Sequence, residues 1–168
     1  MDKLGIYFYN GNVALASAKL SYKGMIVMSD LEETIKLNNQ RIMEEWIAAL
    51  HSLMSQVKQW VSSFPHKDSF SAVDLMVNKS EEPVGEYQAP MLILTTDQTP
   101  IEVLPVGRFA IGAIGRVDIT NHKRSFTLLY SSSKGWLLMD RRKPLTEELF
   151  KEIIDELYVE GVTKPELH

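Results

Sequence analysis

An α+β fold, with an antiparallel meander sheet packed against one long helix and a C-terminal helix, is predicted by three features of the sequence. Apolar residues recur at helical spacing through residues 38–64 and again through 146–160. Between them, over residues 90–140, short β-prone runs alternate with turn residues. The chain has 168 residues, about one domain's worth, so residues 1–168 are expected to form a single domain. Apolar residues make up 45% and charged residues 24%, which excludes a disordered or low-complexity chain. A domain of this size buries roughly 70% of its unfolded surface and needs no covalent staple. There is no cysteine, which excludes disulfide frameworks, thiolate zinc sites, iron–sulfur clusters and cysteine nucleophiles.

The first thirty residues read as a β-hairpin appendage. Residues 4–9 are β-prone, Asn10-Gly11 favours a type I′ turn, and residues 13–20 can return as the second strand. A short helix is the alternative there, because Val13-Ala14-Leu15-Ala16 is alanine-rich. The long helix follows. Asn38 or Asn39 can cap its start, and no proline or glycine interrupts residues 41–64. Ile42, Trp46, Leu50, Leu53, Val57 and Trp60 recur at steps of four, four, three, four and three, until Phe64-Pro65 ends the helix. Met43, Ile47, Met54 and Val61 widen that stripe, while the only charges are Arg41, Glu44, Glu45 and Lys58. A helix with one solvated face usually carries more charge, so a second surface is expected to cover it. Trp46, Ile47, Leu50, Met54 and Trp60 are therefore the candidate interface, most simply of a twofold homodimer. The competing explanation is that the N-terminal segment folds over this helix within one chain.

Residues 69–78 read as a polar linker with a strand over 73–77, and residues 79–85 as a loop. Pro90 opens a strand at 91–95, Asp97-Gln98-Thr99 turns into 101–104, and Pro105-Val106-Gly107 breaks that strand. Strands at 114–120, 126–130 and 136–139 complete the meander. Alternation places Val117 and Ile119 on one face and Arg116, Asp118 and Thr120 on the other. In the closing helix, Pro144 and Thr146 set the start, and Glu147-Glu148 complement the N-terminal dipole. Leu149, Phe150, Ile153, Ile154, Leu157 and Tyr158 form its apolar stripe, and Gly161 caps the end.

Catalytic signatures are sparse. Gly107 and Gly112 have P-loop spacing, but Ala113 and Ile114 stand where the lysine and hydroxyl residue belong, so a close backbone approach explains the glycines better. His51, His66, His122 and His168 show no metal-binding spacing, and no GxSxG nucleophile elbow occurs. The best charged constellation is Glu102, Arg108, Arg116 and Asp118. Glu102 and Asp118 on neighbouring strands are candidate catalytic carboxylates, able to hold a magnesium ion for phosphodiester hydrolysis beside a basic residue. A cross-strand salt-bridge ladder is the structural reading of the same residues, and it is favoured because a third ligand is missing. No metal centre or cofactor is expected.

Charge is distributed unevenly. Residues 108–143 carry eight basic and two acidic side chains, a net +6, against −10 for the remainder. Arg108, Arg116, Arg141, Arg142, Lys123 and Arg124 are thus candidate binding residues, suited to phosphates or an acidic partner. The structural reading is that they meet the acidic helices of the same molecule. A total charge of −4 argues against unassisted nucleic-acid binding. No run approaches the 18 apolar residues of a membrane span, and residues 1–7 do not read as a signal peptide, so a cytoplasmic location is expected.

Three stretches carry a resemblance: Gly85-Glu86-Tyr87-Gln88-Ala89-Pro90, Ile101-Glu102-Val103-Leu104-Pro105-Val106-Gly107 and Gly112-Ala113-Ile114-Gly115-Arg116-Val117-Asp118. Together they resemble a block found in small bacterial proteins of unknown function. The resemblance implies a bacterial origin and one integral domain, and no activity. The expected function is therefore a non-enzymatic binding or accessory module of a bacterial cytoplasmic system, acting through protein–protein contact. The alternatives are a metal-dependent phosphodiester hydrolase and a nucleic-acid-contacting protein.

Overall fold

The computed structural model describes residues 6–9, 12–15, 22–65, 69–82, 84–108 and 113–161. A short hairpin comes first: β1 (Ile6–Tyr9) pairs antiparallel with β2 (Asn12–Leu15), with Tyr9 opposite Asn12. Its strands fall within the expected hairpin, but residues 22–30 belong to the helix that follows and not to the appendage, and Asn10-Gly11 and residues 16–20 lie outside the described residues.

Helix α1 (Tyr22–Ser62) starts sixteen residues before the expected boundary. Asn38 and Asn39 are therefore mid-helix residues and not its N-cap. The reason lies in what precedes them: Leu31, Glu32, Glu33 and Lys36 are good helix formers, and buried Leu31 continues the Ile42–Trp46 stripe backwards. The asparagine side chains do not break the helix, because Asn38 Oδ1 accepts a bond from Arg41 Nη2 one turn on (3.2 Å). At the other end Ser63 N–H and Phe64 N–H close a tight turn onto the Trp60 and Val61 carbonyls.

Seven strands then form one antiparallel sheet whose spatial order is the chain order: β3 (Ser71–Glu81), β4 (Gly85–Thr95), β5 (Ile101–Gly107), β6 (Gly115–Thr120), β7 (Ser125–Ser131), β8 (Gly135–Leu138) and β9 (Lys143–Pro144). The strand expected over 73–77 extends in both directions, so that most of the expected linker and loop is β3, paired along its eleven residues with β4, Ser71 opposite Thr95 and Glu81 opposite Gly85. Gly85 (φ +82°) supplies the left-handed backbone for its turn. Pro105 does not end β5; the strand continues to Gly107 across a register shift.

Helix α2 (Glu147–Gly161) closes the fold. One apolar core joins both helices to one sheet face. Trp46, Leu50, Leu53 and Val57 of α1 meet Val117, Ile119, Leu128 and Leu138 of the strands, and Phe150 and Ile153 of α2, all fully buried. Phe150 stacks on Phe64 (6.0 Å) and Trp60 (5.4 Å), which fixes α2 against the end of α1. The Trp46 ring lies so close to Gly115 that a Cβ there would come within 2.6 Å of it.

This packing corrects the expected helix interface. Trp46, Leu50, Met54 and Trp60 are all buried inside the single chain, and only Ile47 keeps partial exposure. The wide stripe is used up by the sheet on one side and α2 on the other. A second tie fastens α2. Buried Asn121, in the β6–β7 loop, accepts the Lys123 and Arg124 N–H groups (2.9 and 2.8 Å) and donates to the Leu157 carbonyl of α2 (2.9 Å).

Candidate functional site

The predicted carboxylates do come together. Glu102 pairs in register with Thr120 and Leu104 with Asp118, so Glu102 and Asp118 are diagonal neighbours on the sheet face turned away from the helices. Both are already engaged. Asp118 receives two bonds from the Arg116 guanidinium (2.9 and 2.8 Å) and a third from Thr127 Oγ1 (3.0 Å). Glu102 Oε1 lies 3.2 Å from His122 Nε2. The bidentate pair also strengthens Arg116's hold on its proton, the bond to Asp118 being the main cause. Among the described residues no group of three histidine or carboxylate side chains could hold a metal ion. The geometry is two separate contacts on one sheet face, Arg116 with Asp118 along β6 and Glu102 with His122 of the β6–β7 loop. The most exposed of these residues is His122, held in left-handed backbone (φ 67°).

The candidate basic strip is divided by the fold. Arg108 is almost fully buried and so presents nothing to a polyanion. Arg141 binds Glu152 and Glu156 of α2 at 2.8 Å each, and Arg124 also reaches Glu156 at 3.0 Å. Of the six basic candidates Arg116, Arg124 and Arg141 are in ion pairs within the chain. Much of the sequence's charge asymmetry is thus met inside the molecule.

A buried polar cluster escaped the sequence reading. At the end of β3, both oxygens of Glu81 accept the Arg108 N–H (3.0 Å each), fastening the hairpin end to the end of β5. Gly107 permits this, since a Cβ there would stand 2.7 Å from Glu81 Oε1. Burial weakens the Arg108 guanidinium's hold on its proton, opposed by Glu81 and Tyr87. The Tyr87 hydroxyl accepts the Trp46 indole N–H (3.3 Å), and its pKa is pushed up to about 12, first by burial and further by Glu81.

The most accessible apolar surface lies elsewhere, on β3. Among the described residues this strand has β4 on one side and no strand on the other. Val73, Leu75 and Met76 are 42%, 43% and 51% exposed. Its three charged residues are drawn back onto the same chain: Asp74 to Lys58 of α1 (3.0 Å), Lys79 Nζ to the Val106 carbonyl (3.2 Å) and Glu81 to Arg108 N–H. A groove of about 310 Å³ runs beside the edge, lined by His51, Ser55 and Lys58 of α1 and by Asp74, Met76 and Pro90. The signal was present in the sequence as an uninterrupted, proline-free run, Ala72-Val73-Asp74-Leu75-Met76-Val77.

No helix among the described residues is long and apolar enough to cross a membrane. No protein-family model matches the chain, and no curated protein or solved structure matches it either.

Proposed function

We propose that this chain is a non-enzymatic binding module that acts through protein–protein contact at the β3 edge of its sheet, as an accessory part of a larger bacterial system. The observation that carries this reading is the open eleven-residue strand, with three exposed apolar side chains and each of its three charged residues bonded within the chain. Main-chain N–H and C=O groups along a free edge recognise another extended segment by strand addition, and flanking apolar side chains add affinity. Bacterial origin and a cytoplasmic setting rest on the resemblance of the 85–118 block and on the sequence composition. The carboxylates Glu102 and Asp118 support the binding reading indirectly, because their oxygens are taken by Arg116, Thr127 and His122.

Two measurements test it. Quantitative cross-linked capture from the native host should recover a defined partner set with the wild-type chain and lose it with the double variant Val73→Lys/Leu75→Lys. Equal capture by both proteins would remove the edge from the reading. Calorimetric titration with magnesium or manganese should show no saturable binding. Metal binding or phosphodiester turnover abolished by Glu102→Ala or Asp118→Ala would establish the hydrolase instead.

A further inference from the structure

We infer that the occupant of the β3 edge is a second copy of the same strand, paired antiparallel about a twofold axis at Met76, so that two seven-stranded sheets join into one. This rests on the edge-binding reading above and names its partner.

The register follows from symmetry. A twofold axis normal to the sheet keeps each side chain on its own face, so one residue of the strand must lie opposite itself. Met76 is the midpoint of Ser71–Glu81, and centring the axis there overlaps the whole strand. Leu75 then lies opposite the other copy's Val77, Val73 opposite Lys79, Asp74 opposite Asn78, and Ser71 opposite Glu81. No like charges meet. A register centred on Asp74 or on Lys79 would set that charge against its own copy, which is unfavourable.

The surroundings favour the same pairing. Asp74 and Lys79 are the charges nearest the axis, and both are tied to their own chain, so neither must be stripped of a partner when the copies meet. The exposed apolar residues Val73, Leu75 and Met76 cluster around the axis, where a twofold contact covers them twice over. The central seven residues, 73–79, would form about six to eight main-chain hydrogen bonds, since alternate residue pairs exchange two each. The groove beside the edge gives the incoming strand's side chains room against α1.

The test uses the full-length chain. Sedimentation equilibrium over the micromolar range should give twice the mass of one chain. Met76→Lys should weaken dimerisation by more than about tenfold, because it sets two ammonium groups opposite each other. Met76→Glu should do the same, and an equimolar mixture of the two variants should restore the dimer. The absence of native cysteine allows a second arm. Directly opposed residues have Cα atoms about 4.5–5.5 Å apart, within the roughly 4.4–6.8 Å that a disulfide spans. Met76→Cys should therefore oxidise to a covalent dimer. Val73→Cys should not, since its own copy would lie about 20 Å away, six residues along the strand. This arm decides the matter even if the charged variants misfold. A wild-type chain that stays monomeric overturns self-pairing and leaves the edge as a site for a different protein, which the capture experiment judges separately. A dimer insensitive to both charged variants, or cross-linking by Val73→Cys and not Met76→Cys, overturns the interface.

Discussion

The sheet ends differently on its two sides. At one end β9 is two residues long, and those residues are Lys143 and Pro144. A lysine resists burial, and a proline has no N–H to offer a neighbouring strand, so nothing can extend the sheet there. The chain then turns at once into α2, with Leu145 N–H bonded back to the Trp136 carbonyl (3.0 Å). At the other end β3 runs for eleven residues in unbroken register with β4, without a proline, and with its charges held by its own chain. The contrast separates two uses of apolar side chains. Near the β9 edge Leu138 is fully buried core; on the β3 edge Val73, Leu75 and Met76 stay exposed.

The sharpest way to break that contrast is to truncate one apolar residue at each end. Leu138 of β8 is fully buried, so Leu138→Ala should cost about 2–5 kcal/mol in urea unfolding. A loss below about 1 kcal/mol would mean the guarded end is not packed as described.

An intermediate effect concerns the tyrosine that joins the β3–β4 hairpin to α1. Tyr87 ionises near pH 10 in an unfolded chain and near pH 12 here, mainly because it is buried. The folded state therefore holds this proton more tightly. Its contribution is complete below pH 10 and is lost as the pH rises through 12. Tyr130 and Tyr158 shift in the same direction, Tyr130 mainly through burial and Tyr158 mainly through its bond to Asp97. Chemical unfolding repeated from pH 9 to pH 12 should thus show falling stability, with a shallower fall for Tyr87→Phe. An unchanged slope in that variant would place the sensitivity in the other two tyrosines.

The smallest expected effect is at the open edge. Val73→Thr and Leu75→Thr keep the β-branched or β-tolerant character of the strand while removing apolar surface. Each should change the stability of the single chain by no more than about 0.5 kcal/mol. A larger loss at protein concentrations where the chain is monomeric would show these residues to be part of the core.

The sequence was most legible where periodicity and burial coincide. The α1 stripe, the α2 stripe and the Val117/Ile119 alternation all face the core because each element has one side to hide. The start of α1 was obscured by Asn38-Asn39, residues that favour caps yet sit here inside a helix carried by packing on both sides of them. β3 read as a short strand over 73–77 within a polar linker, because an edge strand buries little and its composition lacks the alternation that marks a half-buried strand. For the candidate site, the shared face of Glu102, Arg116 and Asp118 followed from strand parity, but the partner of Glu102, His122 of the β6–β7 loop, did not. Nor did the Glu81–Arg108 contact, because it joins residues 27 positions apart through a backbone N–H that no side-chain pattern reports.

Asn121 bears on how the molecule opens. Its amide holds the β6–β7 loop on one side and the Leu157 carbonyl, 36 positions away, on the other. Fraying of α2 that reached back to Leu157 would leave a buried donor without its acceptor, at a cost of about 1–3 kcal/mol. The part of this helix that leads up to Leu157 is therefore tied to the sheet. It and a hairpin loop in the middle of the sheet form one cooperative unit, opening together or not at all.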